Sequence, residues 1–241
     1  MLKKDYRNLW VFGDSYSTPG ICVEPEASFW AKVAKLLDVD ETHNYSRSGN
    51  SLDSIIHLLV SESSSYNWNQ DFFLIGIPPL VRLTMVSADD KKTYHKKVYD
   101  KQMRQIDEPQ ITCHHGLESR SFYNDPLAIR FDDPTWNEIQ ACRQIFLINQ
   151  WLDKQGANYL VINLSKDFQK DSPATGEFLM KQCFNHPRNV LIGDTYWGIN
   201  HGINKPADFD VYGWSGHHGA IGNQYFFDHS LLPRLQRLDL C

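Results

Sequence analysis

The chain has 241 residues, 41% hydrophobic and 13% aromatic, a globular composition that excludes a disordered or collagen-like protein. That length suits one domain spanning 1–241, which buries roughly 70–75% of its unfolded surface and needs no staples. The net charge of −5 supplies no general attraction to nucleic acid or to an anionic membrane, so neither is an expected partner.

The apolar run Leu9-Trp10-Val11-Phe12 predicts a short buried strand, and Gly13-Asp14-Ser15-Tyr16-Ser17 follows it as a turn. Ser28 can cap a helix with apolar positions Phe29, Trp30, Val33, Ala34, Leu36 and Leu37. His43 to Tyr45 reads as a second strand entering a turn at Gly49. Ser51 can cap a second helix carrying Leu52, Ile55, Ile56, Leu59 and Val60. Asp71 to Ile75 is a third strand, running into Gly76-Ile77-Pro78-Pro79. Residues 80–135 break the rhythm. They are polar, with Asp89-Asp90-Lys91-Lys92 and Asp132-Asp133-Pro134, and predict an insertion or lid that borders the strand ends. Trp136 to Gln155 has long helical periodicity with Gly156 as its stop. Tyr159 to Ile162 and Val190 to Ile192 are fourth and fifth strands, and Gly219 to Arg237 supplies a closing helix. Alternating strands and helices predict α/β layering around a parallel sheet of about five strands, with the first strand central and Ser15 at its carboxyl end.

The five cysteines are odd in number, widely spaced and form no Cys-x-x-Cys pair, which favours reduced thiols. The first eight residues hold no apolar stretch of signal-peptide length, and nothing approaches the ~20 apolar residues of a membrane span. Together these predict a cytoplasmic setting. Lys91-Lys92 and Lys96-Lys97 read as a solvated face. Cys113-His114-His115 lacks a second ligand cluster, and Asp208-Phe209-Asp210 lacks the glycine and glutamate of a calcium loop, so no metal is expected. No glycine-rich phosphate loop is present, so no nucleotide cofactor is expected.

A serine turn after the first strand and the histidine turn Gly216-His217-His218-Gly219 near the other end are the two halves of a nucleophile–base pair. Phe12-Gly13-Asp14-Ser15-Tyr16-Ser17 resembles the first block of the SGNH (GDSL-type) hydrolases. Asn44-Tyr45-Ser46-Arg47-Ser48-Gly49-Asn50-Ser51 is similar to their second block, and His217, five positions before Gly222-Asn223, is similar to their last. The resemblance implies a three-layer α/β/α sandwich of flavodoxin-like type, with Ser15 as nucleophile, His217 as base and the Gly49 N–H as oxyanion donor. His218 competes as base, and Gly49 is otherwise a turn glycine. Two departures stand out. The third block carries an asparagine donor where this chain has Pro78, which has neither N–H nor side-chain donor. The last block carries an aspartate three positions before the histidine, where this chain has Trp214, or Ser215 if His218 is the base.

The third triad member is therefore open between Asp210, with Asp208 beside it, and a backbone carbonyl orienting the ring of a Ser–His dyad. Asp14 reads as a turn former. Asn50 can supply an amide in place of the missing donor, and Arg82 can place a guanidinium at the same pocket. The expected activity is hydrolysis of a small acyl ester of the acetyl type, on a carbohydrate or other alcohol, without cofactor. Transfer of the same acyl group is not separable from hydrolysis. The rival reading is a carbohydrate- or protein-binding module on the same fold, to which Pro78 and Trp214 point.

Overall fold

The computed structural model describes residues 5–18, 23–80, 82–87, 92–113, 116–121, 134–165, 168, 178–191 and 219–240. In chain order the first half gives strand β1 (Asn8–Phe12), helix α1 (Phe29–Leu37), β2 (Glu41–Asn44), α2 (Leu52–Ser61) and β3 (Asp71–Ile77). Then come β4 (Arg82–Ser87), β5 (Lys92–His95), β6 (Lys97–Asp100), β7 (Gln105–Asp107), β8 (Gln110–Cys113) and β9 (Gly116–Ser121). The remainder is α3 (Pro134–Lys154), β10 (Asn158–Asn163), α4 (Phe178–Asn185), β11 (Asn189–Val190), α5 (Ala220–Phe226), a π-helical turn (Phe227–Leu231) and α6 (Leu232–Arg237).

The central sheet has the order β11-β10-β3-β1-β2-β6-β7. Its first five strands are parallel, and β1 lies between β3 and β2 as the sequence predicts. Counted within that parallel part, the order is the flavodoxin-like 2-1-3-4-5, which reverses between β1 and β3. Two further strands extend the expected sheet. β6 pairs antiparallel with β2, and β7 with β6, so the sheet is mixed. Both come from the stretch that the sequence marks as an insertion. Its other strands form separate pairs, β4 with β9 and β5 with β8.

Every residue of β3 and β10 is buried, as expected of parallel strands covered on both faces. Trp10 and Phe12 of β1 face one layer, where Ile55, Leu58 and Leu59 of α2 pack with Ile145, Ile148 and Leu152 of α3. Leu9 and Val11 face the other, formed by Phe29, Trp30 and Val33 of α1 with Phe226, Leu231 and Leu235 of the closing helices. The result is three layers. Among the described residues, no helix is long and apolar enough to cross a membrane.

The caps read from sequence are in place: Ser28 Oγ accepts from Ala31 N at 3.3 Å, and Ser51 Oγ from Ser54 N at 3.2 Å. Several boundaries differ, as at β11, which spans Asn189–Val190 and not Val190 to Ile192, and in the closing helix, which a π-helical turn interrupts. β2 begins at Glu41 and ends before Tyr45. β3 continues through Gly76 to Ile77, because β10 pairs alongside it, Ile162 opposite Gly76 and Asn163 opposite Ile77. α4 has no counterpart in the sequence reading. Cys142 and Cys183 are buried free thiols, while Cys22, Cys241 and the side chain of Cys113 lie outside the described residues.

Candidate active site

The turn after β1 is built by Asp14. Its side chain is wholly buried, and Oδ1 accepts the Tyr16 N–H at 3.1 Å. Its carbonyl accepts the Ser17 N–H at 3.0 Å and the Thr18 hydroxyl at 2.9 Å. Asp14 therefore serves the turn, as expected. Ser15 sits inside this knot, only 6% exposed, at the carboxyl end of the central strand. Among the described residues, no hydrogen bond engages its Oγ.

The loop after β2 is clamped onto the Ser15 turn. Asn44 Nδ2 donates to the Ser17 carbonyl at 3.1 Å, while Asn44 Oδ1 accepts the Ser46 N–H at 2.8 Å. Asn50 Nδ2 donates to the Gly13 carbonyl at 2.9 Å, and Arg47 N reaches the same oxygen at 3.4 Å. The fit is close enough to require glycine at position 13. A Cβ there would lie 2.7 Å from Ser17 Oγ, 3.0 Å from Ser17 Cβ and 3.2 Å from Ser46 Oγ. Asn50 thus acts first as a tie between the two loops, a role the sequence reading did not assign to it.

Gly49 occupies the third position of a turn closed by Asn50 N donating to Arg47 O at 3.1 Å, with φ +84°. Nothing lies within 4 Å of where its Cβ would be, so the backbone angle, not crowding, selects glycine. Pro78 is buried directly after β3 and offers no N–H. Arg82 opens β4, but its side chain lies outside the described residues, as do His217, His218, Asp208, Asp210 and Trp214. The described chain resumes at Gly219, the N-cap of α5. Asn223 then anchors that helix start. Its Oδ1 accepts the Phe29 N–H of α1 at 3.0 Å, and its Nδ2 donates to the Gly219 carbonyl at 3.0 Å. The sequence reading missed this residue as a functional tie. A contact 194 positions away leaves no local pattern.

Beside these loops, one face of the sheet holds a polar aromatic cluster. His43 stacks on Trp10 with ring centroids 4.2 Å apart. Lys96 lies over the Trp10 and Tyr45 rings at 5.4 and 5.6 Å and 3.8 Å from the Glu62 carboxylate, which accepts the Tyr45 hydroxyl at 2.5 Å. Burial, then the Glu62 contacts, push the Tyr45 phenol far above its ordinary value. Burial and then the Lys96 charge lower His43 to about 4, although Glu41 Oε2 stands 3.3 Å from Nε2. His43 is neutral near pH 7 for that reason. Among the described residues, no group of His, Cys, Asp or Glu has the arrangement to hold a metal ion.

No family model matches this sequence, and no curated protein matches it. Among solved structures, the chain is similar to a carbohydrate esterase whose active site is described as displaying divergent catalytic and non-catalytic binding functions. The match covers all of this chain and 70% of that one at 13% identity, with a TM-score of 0.42.

Proposed function

We propose that the protein is a serine-dependent esterase that removes a small acyl group, of the acetyl type, from a carbohydrate or other alcohol. The observation that carries this reading is the seat of Ser15. It lies on a pinned turn at the carboxyl end of the central parallel strand, beside the β1/β3 reversal where open α/β sheets bind ligands. In this reading Ser15 Oγ attacks the acyl carbonyl while His217, or His218, takes its proton. The tetrahedral oxyanion is held by the Gly49 N–H. The imidazolium returns the proton to the departing alcohol, leaving an acyl-enzyme. Water, activated by the same imidazole, attacks the acyl carbon, releases the acid and restores Ser15. Asp210 or a backbone carbonyl orients the ring. Arg82 and Asn50 flank the acyl group, the stretch 80–135 borders the cleft and sets specificity, and no cofactor takes part.

A second reading, a carbohydrate- or protein-binding module with weak or lost catalysis, is favoured by Pro78. A buried proline at the end of β3 removes one oxyanion donor from the site. Turnover of an acetyl ester by the purified protein separates the two. Ser15→Ala is expected to abolish turnover, and Asp210→Asn to lower it by a much smaller factor, as acid losses do in other triads. Undiminished activity in Ser15→Ala removes the nucleophile assignment. A wild type silent across acyl chain lengths supports the binding module.

A further inference from the structure

A groove of about 730 Å³ runs between α1, the β6–β7 turn and the closing helices, within the range of small-molecule sites. None of the Ser15 turn, Gly49 or Asn50 lines it. Its walls divide by chemistry. Leu36, Met103 and Phe227 supply an apolar surface, while Lys32, Lys35 and Lys101 supply ammonium groups. Two of these elements depart from regular backbone at the groove. Met103 adopts φ +60°, and Phe227 begins the π-helical turn.

The lysines are not equivalent. Lys101 is matched by Asp40 at 3.3 Å and Asp38 at 3.6 Å. Lys32 and Lys35 have no carboxylate of the described residues within ion-pair distance. Burial lowers the Lys32 pKa. Asp228 opposes that shift and Lys35 reinforces it. A second charge partner at this spot would stabilise an ammonium that has lost part of its hydration. Glu26 also lines the groove, which disfavours a multiply charged anion more than a singly charged one. Lysines here, with no arginine among the described lining residues, provide point charges without a fork for phosphate.

We infer that this groove binds a medium-chain monocarboxylate, its head group on Lys32 and Lys35 and its chain along Leu36, Met103 and Phe227. The inference stands independently of the Ser15 chemistry. The test is calorimetric titration of the full-length protein with decanoate, below its aggregation concentration, beside decanol and inorganic phosphate. One saturable decanoate site is expected, with decanol weaker by about tenfold or more because it lacks the charge. The double variant Lys32→Gln/Lys35→Gln, whose melting curve is expected to match wild type, should weaken decanoate by about tenfold or more. Absence of saturable binding overturns the inference. So does an unchanged affinity in the folded double variant, or decanol binding as tightly as decanoate. Phosphate displacing decanoate at equal concentration would also overturn it, because the apolar wall would then contribute nothing.

Discussion

Asp14, Asn44 and Asn163 do the same local work at the carboxyl ends of three parallel strands, β1, β2 and β10. In each, a side-chain oxygen accepts the N–H two residues on, turning the chain away from the sheet without leaving that donor buried and unpaired. His43 is a buried group whose shifted titration falls in the acid range. Its unfolded pKa is near 6.5 and its folded one about 4, so between those values the unfolded chain binds more protons. The stability it contributes is present above pH 6.5 and is lost as pH falls toward 4, by up to about 3 kcal/mol. Asp71, raised by burial despite accepting from Trp10, Asn8 and Asn67, acts with the opposite sign, losing its contribution as pH rises. Urea melts of wild type and His43→Phe, compared across pH 7 to 4, isolate the histidine. The phenyl ring keeps the stack on Trp10, so the variant should lose less stability on acidification. Parallel pH curves for the two proteins would show that His43 does not titrate in this window.

At the scale of elements, periodicity and caps located α1, α2 and α3, since each signal is local to its helix. β3 and α4 show where local signals end. The sequence reading ends the third strand at Ile75, yet pairing with β10 holds Gly76 in the strand, with Leu164 packed where a Cβ would be. α4 spans Phe178–Asn185 and gains its place by packing on α3, where Cys183 Sγ donates to the Cys142 carbonyl at 2.9 Å. The junction of α1 and α5 depends on Asn223. Asn223→Ala leaves the Phe29 N–H buried without its acceptor and should cost about 1–3 kcal/mol in urea denaturation. It should also speed hydrogen exchange at the Phe29 amide. Unaltered exchange there would mean that water or a rearranged cap replaces the carboxamide.

Over the whole molecule, the stretch 80–135 is not merely appended, because β6 and β7 continue the central sheet. Val98, 5% exposed, lies opposite His43 in the β2–β6 ladder. Val98→Asp buries a carboxylate in that ladder and should lower the global unfolding free energy by several kcal/mol, roughly the cost of an unpaired buried polar group, and with it the unfolding midpoint. If β6 and β7 instead open on their own, the global midpoint would stay put and only local exchange protection would fall.

The sequence by itself determined the α/β class, the central buried strand, the helix caps and the turn that carries Ser15. These depend on period, burial and side-chain-to-backbone bonds within a few residues, all of which a linear chain displays. It also marked Gly49 as a turn glycine, because a positive φ is a one-residue property. Only the tertiary structure decided that Asn50 and Asn44 bind the second loop to the Ser15 turn, that Asn223 caps a helix 194 positions away, and that the supposed insertion adds strands to the sheet. Those outcomes depend on which groups meet across long loops. Such meetings are selected by the burial and hydrogen-bond satisfaction of the whole fold, not by any neighbour in sequence.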